Sequence, residues 1–214
     1  MNKRSNGKMK YRMLSILGLV IFFGVWEAAV RLGWVSHRSL NAPSEVVETF
    51  IYKLTNANPD GSTLPQHFFQ SLKLALTSFI IATIIGVPLG WIMGYYKVAD
   101  FLLNPLFEII RPIPPIAWIP IVILTMGIGM SAKVFIIFVA AFVPNVINSY
   151  LGIRLTDATL INVAKTFGAS DWKIFTTVCI PSSMNMVFTG IRLSLNASWT
   201  TLVAAEMLAS IRGL

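Results

Sequence analysis

Apolar runs long enough to cross a bilayer alternate with short polar stretches along the chain. The first, Met13 to Val30, follows five cations in the opening twelve residues (Lys3, Arg4, Lys8, Lys10 and Arg12). A cleaved leader and a retained span both fit a basic stretch before an apolar run. Trp26 and Glu27 near the end of this run, with Arg31 and Trp34 just beyond it, read as interfacial anchors, which favours a retained span over 13–35. Residues 36–70 are polar and are expected to form an external amphipathic loop along the membrane surface. In it, NAPSEVVETF predicts a short helix capped by Ser44, and NANPDGSTLP predicts a turn. A second span is expected over 72–95, a short kinked third over 116–127, a fourth over 134–151 with a kink at Pro144, and a fifth over 184–207.

Two of these runs carry unusual punctuation. Gly86, Gly90 and Gly94 recur every four residues and share one helix face. Small residues at this spacing let helix backbones approach closely in lipid, either within the chain or between subunits. Ahead of the third run, Pro112, Pro114, Pro115 and Pro120 each remove an amide donor, so a continuous helix is excluded. An interfacial helix to Ile110, a break and a short span are expected. Such a broken segment either borders a transport path or makes a surface elbow.

Composition agrees with the pattern. Hydrophobic residues make up 55% of the chain and charged residues 12%, which excludes an ordinary soluble domain. The runs are too long for the alternating strands of a membrane β-barrel, so the fold class is all-α and polytopic. The formal charge of +8 is spread among the span ends, so it sets topology and does not indicate nucleic-acid binding. With the amino end inside, ten Lys and Arg fall on the inner side and six on the outer, Arg38 and Arg212 among the six. Cys179 is the only cysteine, and His37 and His67 stand apart from any acidic cluster, so no metal or cofactor site is expected.

On this topology residues 152–181 face the cytoplasm. Thr156 and Asp157 start a helix in which Leu160, Val163, Ala164 and Phe167 fall at helical spacing on one face. Gly168 stands where a helix end favours positive φ, and Ser170 with Asp171 starts a second helix that Pro181 stops or kinks. Phe167 and Trp172 would be worth about 2 kcal/mol each on burial, so this face either packs on the protein's own spans or docks a soluble partner.

The same residues resemble the cytoplasmic signature of ABC-importer permeases: Glu-Ala-Ala, three residues, Gly, nine residues, Ile-x-Leu-Pro. Asn162, Val163 and Ala164 stand for the first three, Gly168 keeps its offset, and Val178, Cys179, Ile180 and Pro181 complete the pattern. Asn162 replaces the family's Glu, and with it any salt bridge made there. PSEVVETF, RPIPPIAWIPI, GIGMSAKVFII, FVPNVIN and GIRLSLNASWTTLVAAEM resemble the sulfonate, taurine, nitrate and bicarbonate group of type I importers. The resemblance implies a permease homodimer in the bacterial inner membrane, two ATPase subunits and an extracytoplasmic solute-binding protein. Asn162, Ala164, Phe167, Gly168, Ala169, Trp172 and Pro181 would meet the ATPase. The family has about six spans where five are expected here, so a last span is expected to be missing.

No G-x-x-x-x-G-K-[ST] loop occurs, so ATP would have to be bound by another chain and the permease itself is not expected to be an enzyme. Arg192 lies eleven residues past Pro181, about 16 Å along a helix and near mid-membrane. Asn185, Thr189, Arg192, Asn196 and Thr200 form one stripe. It either lines a path favouring anions or holds Arg192 as a structural lock on the proline-broken segment. Glu206 reads as a gate, an external contact or a solvated helix end. A thiamine-precursor pyrimidine is a second solute class, and an ATP-independent channel or proton-coupled carrier a second function. The carrier lacks the buried acids it needs. An intramembrane enzyme ranks last, having no nucleophile elbow and no metal motif.

Overall fold

A computed structural model describes residues 3–36, 40–59 and 61–209, with side chains from Lys10 to Met207. His37, Arg38 and Arg212 lie outside the described residues. The chain divides into two units, Met1–Phe69 and Gln70–Leu214. Every regular element among the described residues is helical.

The first unit holds α1 (Lys3–Arg31) and α2 (Pro43–Thr55), and the start of α3. α1 ends at Arg31, short of the expected 35, because Gly33 turns the chain with φ +76°. Ser44 does not cap α2. Ala42 occupies the cap position, Pro43 opens the helix, and Glu45 accepts a hydrogen bond from the Ala42 N–H at 3.3 Å. Ser44 is occupied elsewhere: its N–H and hydroxyl both donate to Glu27, at 3.1 and 2.8 Å, and Arg31 donates to the same carboxylate.

The second unit is built from α3 (Leu64–Tyr95), α4 (Lys97–Ile110), α5 (Ile119–Met126), α6 (Met130–Arg154), α7 (Ala158–Thr166), α8 (Asp171–Ile174) and α9 (Ile180–Ala209). α3 begins eight residues earlier than the expected span. The expected break after Ile110 is present. Pro115–Trp118 form a 3-10 turn, α5 has only eight residues, and its segment bends by 89° from α4. Eight helical residues rise about 12 Å against a hydrocarbon core of about 30 Å, so α5 cannot cross alone. Among the described residues four helices are long and apolar enough to cross a membrane, and the bent α4–α5 pair would make a fifth.

Close backbone contact sets the core. An added Cβ on Gly90 would lie 2.4 Å from the Val146 carbonyl oxygen, and one on Gly94 would lie 2.8 Å from both Ile153 Cβ and the Tyr150 oxygen. Thus the glycine row of α3 is seated on α6. On the other flank of α6, Gly152 meets Ser183 and Gly190 meets Asn148, so α9 approaches as closely. At one end Leu74, Ala75, Ile137 and Leu202 bury each other, and at the opposite end Ile153, Ile174, Phe175 and Cys179 do so.

Candidate functional site

The segment between α6 and α9 is assembled from local hydrogen bonds. The Asp157 carboxylate accepts from the Thr159 N–H at 2.8 Å, which caps α7 and holds this exposed acid below its usual range. At the other end of α7, Gly168 N–H donates to Lys165 O and Ala169 N–H to Ala164 O, at 2.9 and 3.0 Å. This paired closure needs a left-handed residue after the helix, and Gly168 supplies it with φ +76°. Ser170 then caps α8, accepting from Lys173 N–H, and the Tyr95 hydroxyl of α3 donates to Asp171 O at 2.9 Å. The turn between the two helices is therefore fixed at both ends and tied to α3.

That geometry divides the apolar residues. Ile161, Ala164 and Ala169 pack against the Ile153–Ile174–Phe175–Cys179 cluster. Leu160, Val163 and Phe167 face outward, with Phe167 87% exposed, and Trp172 is 65% exposed beside Phe175. The expected single face therefore splits. Ala164 lies on the boundary and turns inward beside Ile161, which the spacing argument did not select. Asn162 and Gly168 are exposed and Ala169 half-buried, all within the same helix pair.

Pro181 is not the end of a helix. Phe175–Cys179 form a π-helical turn, with the Ile180 N–H reaching back to Phe175 O, and the helix runs on through Pro181. The wider turn accommodates a residue with no N–H to donate, and the Thr176 and Thr177 hydroxyls cover the carbonyls of Trp172 and Lys173, at 2.9 and 2.6 Å. The exposed pair α7–α8 is thus joined without a break to the long helix α9.

On α9 one face is buried against α6 through Ser183, Val187, Ser194 and Ser198. The opposite face carries Asn185, Thr189, Arg192, Asn196 and Thr200, all exposed. Thr189 and Thr200 turn their hydroxyls onto carbonyls of their own helix. Arg192 is exposed and has no hydrogen bond or ion pair among the described residues. Glu206 is not a free helix end: it is half-buried and accepts a hydrogen bond from Ser71 of α3.

A further group was not singled out from the sequence. Asn145 is fully buried on α6, where it donates to Thr83 of α3 at 3.0 Å and accepts from Ser194 of α9 at 3.2 Å. These three side chains link the three central helices. An asparagine in the middle of the apolar run AAFVPNVIN was the available signal.

Residues 86–214 match the family described as binding-protein-dependent transport system inner membrane component. The chain belongs to this family. A probable ABC transporter permease of Brucella melitensis is 35% identical over 209 residues, covering 98% of this chain and 82% of the relative. The taurine transport system permease of Escherichia coli K12 is 34% identical over 204 residues, 94% of this chain and 73% of that protein. The bicarbonate transport system permease of Synechococcus elongatus is 29% identical over 218 residues, 97% and 78% respectively. Membership of this inner-membrane-component family, with several span-capable helices, makes the chain a multi-pass ABC-importer permease subunit. The matched region begins at Gly86 and takes in the glycine contact with α6, the α7–α8 pair and the polar face of α9.

Proposed function

We propose that this permease moves a small oxyanion or organosulfonate into the cytoplasm by ATP-driven alternating access. The observation that carries the reading is the unpartnered Arg192 on a polar face that the chain itself leaves uncovered. A guanidinium inside a span is costly unless water, a counter-charge or a ligand reaches it, and its forked donors suit carboxylate-like and sulfonate-like oxygens. The taurine and bicarbonate relatives are named for solutes of this kind. A second permease copy facing the first would enclose the two polar faces in one path, with Asn185, Thr189, Asn196 and Thr200 lining it.

The chemistry is mechanical. Two ATPase subunits would seat the exposed Phe167 and Trp172, with Asn162, Gly168 and Ala169 shaping the contact on the cytoplasmic side. Closure of the ATPases would move the α7–α8 pairs, and the continuous helix through the π-helical turn would carry that motion to the polar face. A solute-binding protein would deliver cargo from outside. The test is uptake into proteoliposomes holding the permease, its ATPase and its binding protein, with labelled taurine, bicarbonate and nitrate offered in turn. ATP-dependent uptake of one of them is expected. It should fall at least about tenfold in Arg192→Gln, the loss of one charge-assisted contact, while the ATPase stays bound. Undiminished uptake in that variant would refute the anion path.

A further inference from the structure

We propose that α2 is an interfacial helix that lies in the headgroup layer of the membrane, held at that depth by the Glu27–Ser44–Arg31 clasp. The proposal rests on α1 being a membrane span.

The helix is divided lengthwise. Val46, Val47, Phe50, Ile51 and Leu54 occupy one arc, while Glu45, Glu48, Thr49, Tyr52 and Lys53 occupy the other. No residue of α2 is buried, and those five apolar side chains are 41–61% exposed. A helix whose apolar stripe the described residues leave largely exposed needs an apolar medium on one side and water on the other.

The clasp says which medium. Glu27 stands in the last turn of α1, where the exposed apolar run through Phe22, Phe23 and Val25 gives way to charge. Its carboxylate receives both the backbone N–H and the hydroxyl of Ser44, so the first turn of α2 is fixed at the height where α1 leaves the hydrocarbon. An anion there also suits the positive end of a helix dipole. At that point two residues of the stripe, Val46 and Val47, adjoin the exposed apolar surface of α1 at Phe23. Phe23 and Trp26 meet Pro43, Val46 and Val47 around an open apolar notch of about 600 Å³. This continuity with the surface of a span selects lipid over a second copy or a soluble partner. The charges of α2 are two Glu and one Lys, so its seating should not depend on anionic lipid.

The test uses the full chain in phosphatidylcholine nanodiscs on a Cys179→Ser background, spin-labelled one site at a time. Val47→Cys, Phe50→Cys and Leu54→Cys are compared with Glu48→Cys and Tyr52→Cys by collision with oxygen, which partitions into lipid, and with a water-soluble nickel chelate. The apolar sites are expected to show a severalfold higher oxygen-to-nickel ratio, unchanged by added phosphatidylglycerol or high salt. Glu27→Gln should reduce that contrast. Equal nickel access at all five sites, or shielding of the apolar sites from both reagents, would overturn the proposal, the second result pointing to a protein cover. Leu17→Cys and Val20→Cys on α1 report the span itself. If they fail to show lipid contact, the membrane reading of α1 is at fault; if they show it and α2 does not, the proposal is wrong.

Discussion

Gly90→Ala adds one methyl group where α3 has no room for it. The new Cβ would lie 2.4 Å from the Val146 carbonyl oxygen, 2.7 Å from Ser149 Cβ and 3.0 Å from the Tyr150 nitrogen. An ordinary contact between aliphatic carbon and carbonyl oxygen is about 3.4 Å, so the shortfall is about 1 Å. Two of the three obstructing atoms belong to the backbone of α6, which cannot yield as a side-chain tip would. The helices must separate, and contacts between α3 and α6 loosen on either side. Overpacking of this kind costs about 3 kcal/mol, offset by the ~1 kcal/mol that alanine gains over glycine within a helix. A net loss of about 2 kcal/mol corresponds to a fall in Tm of roughly 4–8 °C for a chain of this size. Cys179 provides the assay, since it is the only cysteine and 1% exposed. A maleimide dye that fluoresces on thiol reaction will report its exposure during a thermal ramp in detergent. Gly86→Ala, whose nearest obstacle is a side-chain carbon at 3.1 Å, should lose less, and Gly18→Ala, with nothing within 4 Å, should lose nothing and gain the ~1 kcal/mol of the alanine preference. A Gly90→Ala protein as stable as the parent, or the reverse order of Gly86 and Gly90, would refute the account of this interface.

Other outcomes are expected from the same contacts. Asn145→Ala and Ser194→Ala should each lower Tm in the thiol ramp, and the double variant should lose less than their sum, with a coupling of about 0.6 kcal/mol as for hydrogen bonds between membrane helices. Strict additivity would mean that the bond contributes nothing. The Asp157 carboxylate is held below its usual range by the Thr159 N–H, so its contribution to α7 is complete above the unfolded value and is lost as pH falls through the lower folded value. Hydrogen exchange in the first turn of α7 should therefore be insensitive to this group near neutral pH and rise only below about pH 4. Asp157→Ala should show the raised exchange at every pH.

What the sequence revealed and what it concealed follow from how local each interaction is. Gly168 was legible because the closure of α7 involves residues within five positions of it, and the same holds for the Asp157 and Ser170 caps. Ser44 was misplaced because its partner Glu27 lies 17 positions upstream. Pro181 reads as a helix stop only if the preceding turn is an α turn; the π-helical turn before it removes the conflict. The break after Ile110 was legible from Pro112, Pro114 and Pro115, whereas the 89° angle across it was not, because hydropathy carries no direction. At 160–167, helical spacing found the exposed residues, but the division between Ala164 and Leu160 depends on where the Ile174–Phe175 cluster sits. The stripe on α9 was legible as a pattern, whereas the absence of a partner for Arg192 among the described residues needed the fold.

The most direct test of the account is whether a P-loop ATPase remains with this chain when it is purified in detergent from its native membranes, compared with Phe167→Asp. Phe167 is 87% exposed, so its replacement should leave the thermal ramp of the permease unchanged. If the exposed α7–α8 surface is the ATPase seat, the native chain retains the ATPase and Phe167→Asp loses it at unaltered Tm. Retention of the ATPase by Phe167→Asp, or a well-folded native chain that brings none, would contradict it.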